Sequence, residues 1–223
     1  MDERDGLEVW RGSVNAWECD QMGHFSARFY NALVRQGIVG LAAALGLSGA
    51  FRAGAQETLL VTGQHMRFLK EARLSAPLHM TAGIVAASHD SLDALFLLRH
   101  SRSGDLAASM RTTLVLADPA TGAPLPVPAA VRDRAGALAV EVPDQAQPRS
   151  VRLEAVETTA SLERADALGL MCASRGAVGP EGCDVFGRLR LEGFLTAVTD
   201  GMPLVGSTVR GDLADYIDLP AER

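Results

Sequence analysis

The chain has 223 residues, 48% of them hydrophobic, and a formal net charge of −6 at pH 7. That is enough apolar material for a real core, in one large domain or two small ones. The acidic balance excludes nucleic acid as the main partner, since phosphate binding needs a basic face, and no apolar run reaches the ~20 residues of a membrane span. The opening MDERDGLEVW is acidic where a signal peptide would be basic and then apolar. Cys19, Cys172 and Cys183 are few and scattered, with no CxxC pair. A soluble protein in a reduced, cytoplasmic setting is expected.

The first element in chain order is a strand candidate, LEVWRGSVNAW (7–17). The stretch 28–47 follows, with Phe29, Leu33, Val34, Ile38, Leu41, Ala42 and Leu45 at the spacing of a helix with a wide apolar stripe. Gly37 and Gly40 inside it predict a close neighbour, such as a sheet. Four strands are then expected over 58–69, 76–88, 93–102 and 106–118. The turn-like KEARLS, HDSL and SGD between them suggest antiparallel pairing of consecutive strands. One helix followed by four long strands predicts an α+β domain over 1–118, its sheet wrapped against the helix. Residues 119–149 hold six of the ten prolines and read as a linker or surface-hugging connection, with a short helix over 129–138.

The remainder, 150–223, repeats part of the beginning. A shift of 164 residues lays GSVNAWECDQMGHF (12–25) over GAVGPEGCDVFGRL (176–189) without a gap. Gly12, Val14, Cys19, Asp20 and Gly23 recur as Gly176, Val178, Cys183, Asp184 and Gly187. Each copy runs into a helix-like segment, the second over 190–205. Duplication is the reading this favours. Four long strands do not fit in the 39 residues that follow Asp184. The second unit is therefore expected to be incomplete, either cut short or completed on a partner. In it Glu18 becomes Gly182 and His24 becomes Arg188.

The segment WECDQMGHFSARFY (17–30) permits two readings. Asp20 is a favoured turn or N-cap residue. Equally, a carboxylate ahead of a helix, a glycine that admits close backbone approach and unpaired first-turn amides would together serve thioester hydrolysis. In that reading Asp20 is nucleophile or general base, Gly23 shapes the approach, the amides of His24 to Ala27 receive the oxyanion, and His24 is a polar group at the site. Cys19 and Cys183 have no visible base beside them and read as small buried side chains. His65, His79, His89 and His100 have no metal-ligand spacing, so neither metal nor cofactor is expected.

The same segment resembles the signature of hotdog-fold thioesterases of the 4-hydroxybenzoyl-CoA thioesterase type: aromatic-[DE]-x-D-x-x-G-H, then a helix with a tyrosine. The likeness extends over about 1–128, through QHMRFLKEARLSAPLHM to TTLVLAD and PLPVP. Glu18 stands where that family more often has aspartate. The resemblance implies a curved antiparallel sheet around one long helix, with 150–223 as the start of a second such unit. It implies hydrolysis of an acyl-CoA or acyl-carrier-protein thioester, catalysis by Asp20, and assembly into a homo-oligomer. Tyr30, Gln64, His65, Arg67 and Arg73 are then candidates for substrate binding, the last two with Lys70 as a basic cluster for coenzyme A phosphates. Asp184 is either a second catalytic aspartate or part of a structural half. Two other functions are open: a catalytically silent acyl-thioester binding module and a hydroxyacyl-thioester dehydratase. His24 with Glu18 suits the dehydratase poorly.

Overall fold

The structure, a computed structural model, describes residues 6–149 and 160–217, with side chains as far as 208 in the last helix. It divides into two compact units, Met1–Val156 and Glu157–Arg223. In the first, β1 (Leu7–Ser13) leads through a 3-10 turn (Ala16–Glu18) to α1 (Ala27–Ala44), and β2 (Thr58–Phe68), β3 (Pro77–Ala87), β4 (Leu92–His100) and β5 (Leu106–Ala117) follow. They form one antiparallel sheet in the order β1-β3-β4-β5-β2.

The expected strands are present, but one expected pairing is not. β2 does not pair with β3, its neighbour in sequence. It pairs with β5 at the far edge, Gln64 opposite Thr112 and Phe68 opposite Ala108. The KEARLS stretch is therefore no hairpin turn. It crosses three strand positions, about 14 Å at the usual spacing, which eight residues can span.

α1 buries Tyr30, Leu33, Val34, Ile38 and Leu41. Gly37 is where the sheet presses on it: a Cβ there would lie 2.6 Å from Met80 of β3 and 3.0 Å from Phe96 of β4. The helix closes on Gly46 in the left-handed conformation (φ 85°), with Gly46 N donating to Ala43 O and Leu47 N to Ala42 O.

Strand alternation sends Leu95 and Leu97 to the face away from α1, where they cluster with Leu106 and Ala146 under Val85, Val140 and Val142. Residues 119–149, expected as a linker or surface-hugging connection, thus belong to the first unit's packing. Leu125 N donates to Leu116 O, Val127 N to His89 O, and Ile84 and Leu138–Val140 exchange backbone bonds of 2.8 and 3.0 Å. α2 (Ala129–Ala137) buries Val131 and Ala135. The boundary expected at 118 falls inside this packed layer.

The second unit contains α3 (Leu162–Ala167), capped by Ser161 Oγ accepting from Arg164 N, then a 3-10 turn (Pro180–Gly182) and α4 (Leu191–Ile217). α4 runs through Pro203 and ends beyond the expected 205. Among the described residues it has no strand. Among the described residues, no helix is long and apolar enough to cross a membrane.

Candidate active site

The segment that raised two readings folds as a closed turn. Asp20 Oδ1 accepts from Met22 N (2.8 Å) and His24 N (3.0 Å), Asp20 N donates to His24 O (2.8 Å), and Gly23 N donates to Asp20 O (2.9 Å). Gly23 makes this possible with φ 77° and open space where a Cβ would stand, so its requirement is conformational rather than steric. Glu18 turns back on the loop, its Oε2 accepting from Asn15 N (2.8 Å) and Nδ2 (3.0 Å).

The 69–76 crossing fastens to this turn. Phe25 N donates to Ala72 O (2.8 Å), Ser75 N to Val14 O (2.9 Å), and Val14 N to Ala76 O (3.1 Å). Turn, crossing and α1 enclose a cleft of about 300 Å³ lined by Asp20, His24, Phe25, Ala27, Tyr30 and residues 68–72. The Tyr30 ring is buried between Phe25 (centroids 4.6 Å apart) and Phe68 (5.0 Å, edge-on). Burial first, and the Glu71 charge second, push its hydroxyl up to about 12, so it remains an O–H donor near neutral pH.

His24 Nε2 lies 3.0 Å from Arg73 Nη2 and 3.3 Å from Glu71 Oε2, and Arg73 Nη2 also donates to Glu71 (3.2 Å). The ring nitrogen accepts from arginine in the neutral imidazole and pairs with glutamate when protonated. Of the 68–72 wall only Lys70 is expected at the site from the sequence; Glu71 is not. Their position depends on the crossing, and the only local signal was an acidic residue set between Lys70 and Arg73.

Four expectations change. The amides of His24, Phe25 and Ser26 are occupied by Asp20 Oδ1, Ala72 O and Glu18 O. Those of Ala27 and Arg28, the first two of α1, have no acceptor among the described residues, as a helix start leaves them. Gln64, His65 and Arg67 do not line the cleft. Parity on β2 puts His65 and Arg67 on the face away from α1, where Arg67 Nη1 donates to Gln147 O (2.6 Å). There burial first, then the Arg67 and Arg111 charges, hold the His65 ring below its usual value. Gln64 faces inward but bonds Thr112 Oγ1 (3.4 Å) higher on the strand. Of the basic cluster, Lys70 lines the cleft while paired with Asp105, and Arg73 reaches its rim through His24.

Asp184 sits in a turn of the same geometry. Its Oδ1 accepts from Phe186 N (2.8 Å) and Arg188 N (2.9 Å), and Gly187 also has φ 77°. The groove of about 340 Å³ in the second unit is lined by residues 174–182 and the start of α4, with Asp184 outside its lining.

Compared with known families, residues 14–135 match the Thioesterase-like superfamily. That match takes in more than half of the chain, and the chain belongs to this superfamily. Its sheet and helix are the hotdog fold expected from the sequence. Similar solved structures include a Staphylococcus aureus protein in complex with CoA (TM-score 0.57, 17% identity, 66% of this chain and 97% of that one). Another is a thioesterase of Thermus thermophilus complexed with coenzyme A and zinc (0.52, 20%, 62% and 97%). A third is a 1,4-dihydroxy-2-naphthoyl-CoA thioesterase from Synechocystis (0.51, 15%, 58% and 95%). At these identities the likeness is one of fold. No curated protein matches the chain.

Proposed function

We infer that the chain hydrolyses an acyl-CoA or acyl-carrier-protein thioester to the free acid at the Asp20 cleft. Membership of the thioesterase-like superfamily supports thioester hydrolysis. The observation that carries the site is that Asp20, Ala27 at the open start of α1, and Tyr30 border one apolar cleft. Asp20 has divided labour: Oδ1 holds the turn, and Oδ2 has no hydrogen-bond partner among the described residues.

The thioester oxygen is received by the Ala27 and Arg28 amides, where the helix dipole also favours negative charge. Asp20 Oδ2 then either takes a proton from a water that attacks the carbonyl carbon or attacks that carbon itself. Collapse of the tetrahedral intermediate breaks the C–S bond and releases the thiolate. In the general-base route the thiolate takes up the proton held by Asp20. In the nucleophilic route the acyl group stays on Asp20 as an anhydride that water hydrolyses to the free acid, and a proton from that water neutralises the thiolate. Tyr30 donates to the acyl group, His24 orders the mouth, and Lys70 and Arg73 meet the phosphates of the pantetheine-bearing group at the rim. Homo-oligomer formation and a cytoplasmic setting complete this reading.

A panel of acyl-CoA substrates with free-thiol detection tests it. Release of thiol from at least one member, lost in Asp20→Asn, is the expected result. A folded protein that cleaves none above background removes the thioesterase reading and leaves a binding module. Single turnover in ¹⁸O water separates the two roles of Asp20, because a nucleophile sends the label into its own carboxylate first.

A further inference from the structure

Glu71 lines the cleft, and the hydrolysis assigned to Asp20 makes no use of it. The crossing sets it there firmly. Ala72 beside it is 1% exposed and accepts from Phe25 N (2.8 Å), and Arg73 forms an antiparallel bridge with His24. Backbone bonds on the two residues that follow thus hold Glu71 in the wall, rather than leaving it on a loose loop.

The charges around that wall are unevenly available. Two carboxylates, Asp20 and Glu71, line the cleft. Lys70, the ammonium in the same lining, is paired with Asp105, which lies outside it. Arg73, the next residue beyond the wall, has its Nη2 on Glu71 Oε2 (3.2 Å) and His24 Nε2 (3.0 Å). Glu71 therefore acts in two ways at once. It adds a negative charge to the cleft, and it ties the guanidinium that could otherwise receive an anion. Its influence extends to the buried Tyr30 hydroxyl, whose proton is held by burial first and by the Glu71 charge second. Around that hydroxyl the lining is apolar: Phe25, Phe68 and Leu69.

We propose that Glu71 sets the acyl specificity: it turns away acyl groups that carry a second carboxylate, so the thioester taken is that of an uncharged acyl group. In a space of about 300 Å³ an acyl carboxylate has little room to stand clear of the one on the wall. It would exchange its water for Phe25, Tyr30 and Phe68, with Lys70 already paired and Arg73 already tied. Selection of this kind works by repelling the wrong ligand and asks for no added contact to the right one. The inference rests on the Asp20 cleft being where the acyl group binds, and it specifies which acyl groups those are.

The test uses two probes of equal chain length, pentanoyl-CoA and glutaryl-CoA, titrated by calorimetry into the full chain carrying Asp20→Asn. That substitution stops turnover and removes the other carboxylate of the cleft, so the charge discrimination that remains belongs to Glu71. Pentanoyl-CoA is expected to bind the more tightly, and adding Glu71→Gln should lower the ratio of the two affinities about tenfold, the scale of one like charge in a partly screened site. Glu71→Asp keeps the charge and should keep the ratio. Both probes carry the same coenzyme, so any gain in phosphate binding by a freed Arg73 cancels. Three outcomes overturn the proposal: a ratio that Glu71→Gln does not move, glutaryl-CoA bound as tightly as pentanoyl-CoA, or no binding of either probe. The thioesterase reading fails on a different result. A chain with Asp20 intact that cleaves no acyl-CoA, while the ratio responds to Glu71→Gln, removes hydrolysis and leaves the selectivity standing. Hydrolysis with an unresponsive ratio does the reverse.

Discussion

Asp20 Oδ1 holds the turn and Oδ2 is the oxygen proposed to act on the thioester, and substitutions can separate the two. Asparagine keeps an oxygen able to accept from the Met22 and His24 amides and loses the basic one. Asp20→Asn is therefore expected to melt within about 0.5 kcal/mol of the parent while turnover falls ~10²–10⁴-fold. Asp20→Ala loses the latch as well and should cost a further ~0.5–2 kcal/mol, the usual scale for such a turn or cap bond. Urea unfolding beside thiol-release kinetics checks both. Tyr30 gives a pH prediction. Its folded-state value of about 12 lies above the ordinary tyrosine value, so the folded state holds its proton longer. The stability that follows is fully present below about pH 10 and is lost as pH rises towards 12. Tyr30→Phe should remove that slope, measured as urea midpoints between pH 9 and 11.5. At this scale the sequence is informative where bonding is local. The Asp20–Gly23 turn closes within five residues and can be inferred from a Cys-Asp-x-x-Gly stretch. Glu71 is set by a crossing that the local sequence does not announce, and His65 and Arg67 fail on strand parity.

The elements themselves are legible because each has a clear period: the stripe of α1 and the long apolar strands end within a few residues of their expected limits. The strand order is not legible, since a turn-like KEARLS looks the same in a hairpin and in a crossing. That difference matters for the site. A hairpin would have kept 69–76 at the end of two neighbouring strands. The crossing carries it past the start of α1, where it becomes the wall opposite Asp20. The glycines of α1 correctly signalled a close neighbour, and Gly37 gives the quantitative case. Gly37→Val would drive its side chain into Met80 and Phe96 and should cost ~1–3 kcal/mol by overpacking. Equilibrium denaturation would show it, and a cost near zero would mean that α1 can lift from the sheet.

For the whole molecule, the two compact units make different demands on the chain. The first has its sheet covered on both faces. The second leaves large apolar side chains such as Leu162, Phe194 and Val198 more than half exposed. Residues 1–156 alone should therefore retain the cooperative melt and the thiol-release activity of the full chain. Loss of either on removing 157–223 would show that the first unit depends on the second.

The strap over the outer face of the sheet also determines where the protein can safely be cut. Leu95, Leu97 and Leu106 are at most 5% exposed with Ala146 and its neighbours in place. A fragment ending at Asp118 would keep every strand, the helix and the whole cleft, yet present those leucines to water as a continuous greasy plate. Such a fragment should precipitate or stack plate to plate in light scattering, at concentrations where residues 1–156 stay clear. The clasp that lies away from the cleft is what keeps the first unit manageable in solution.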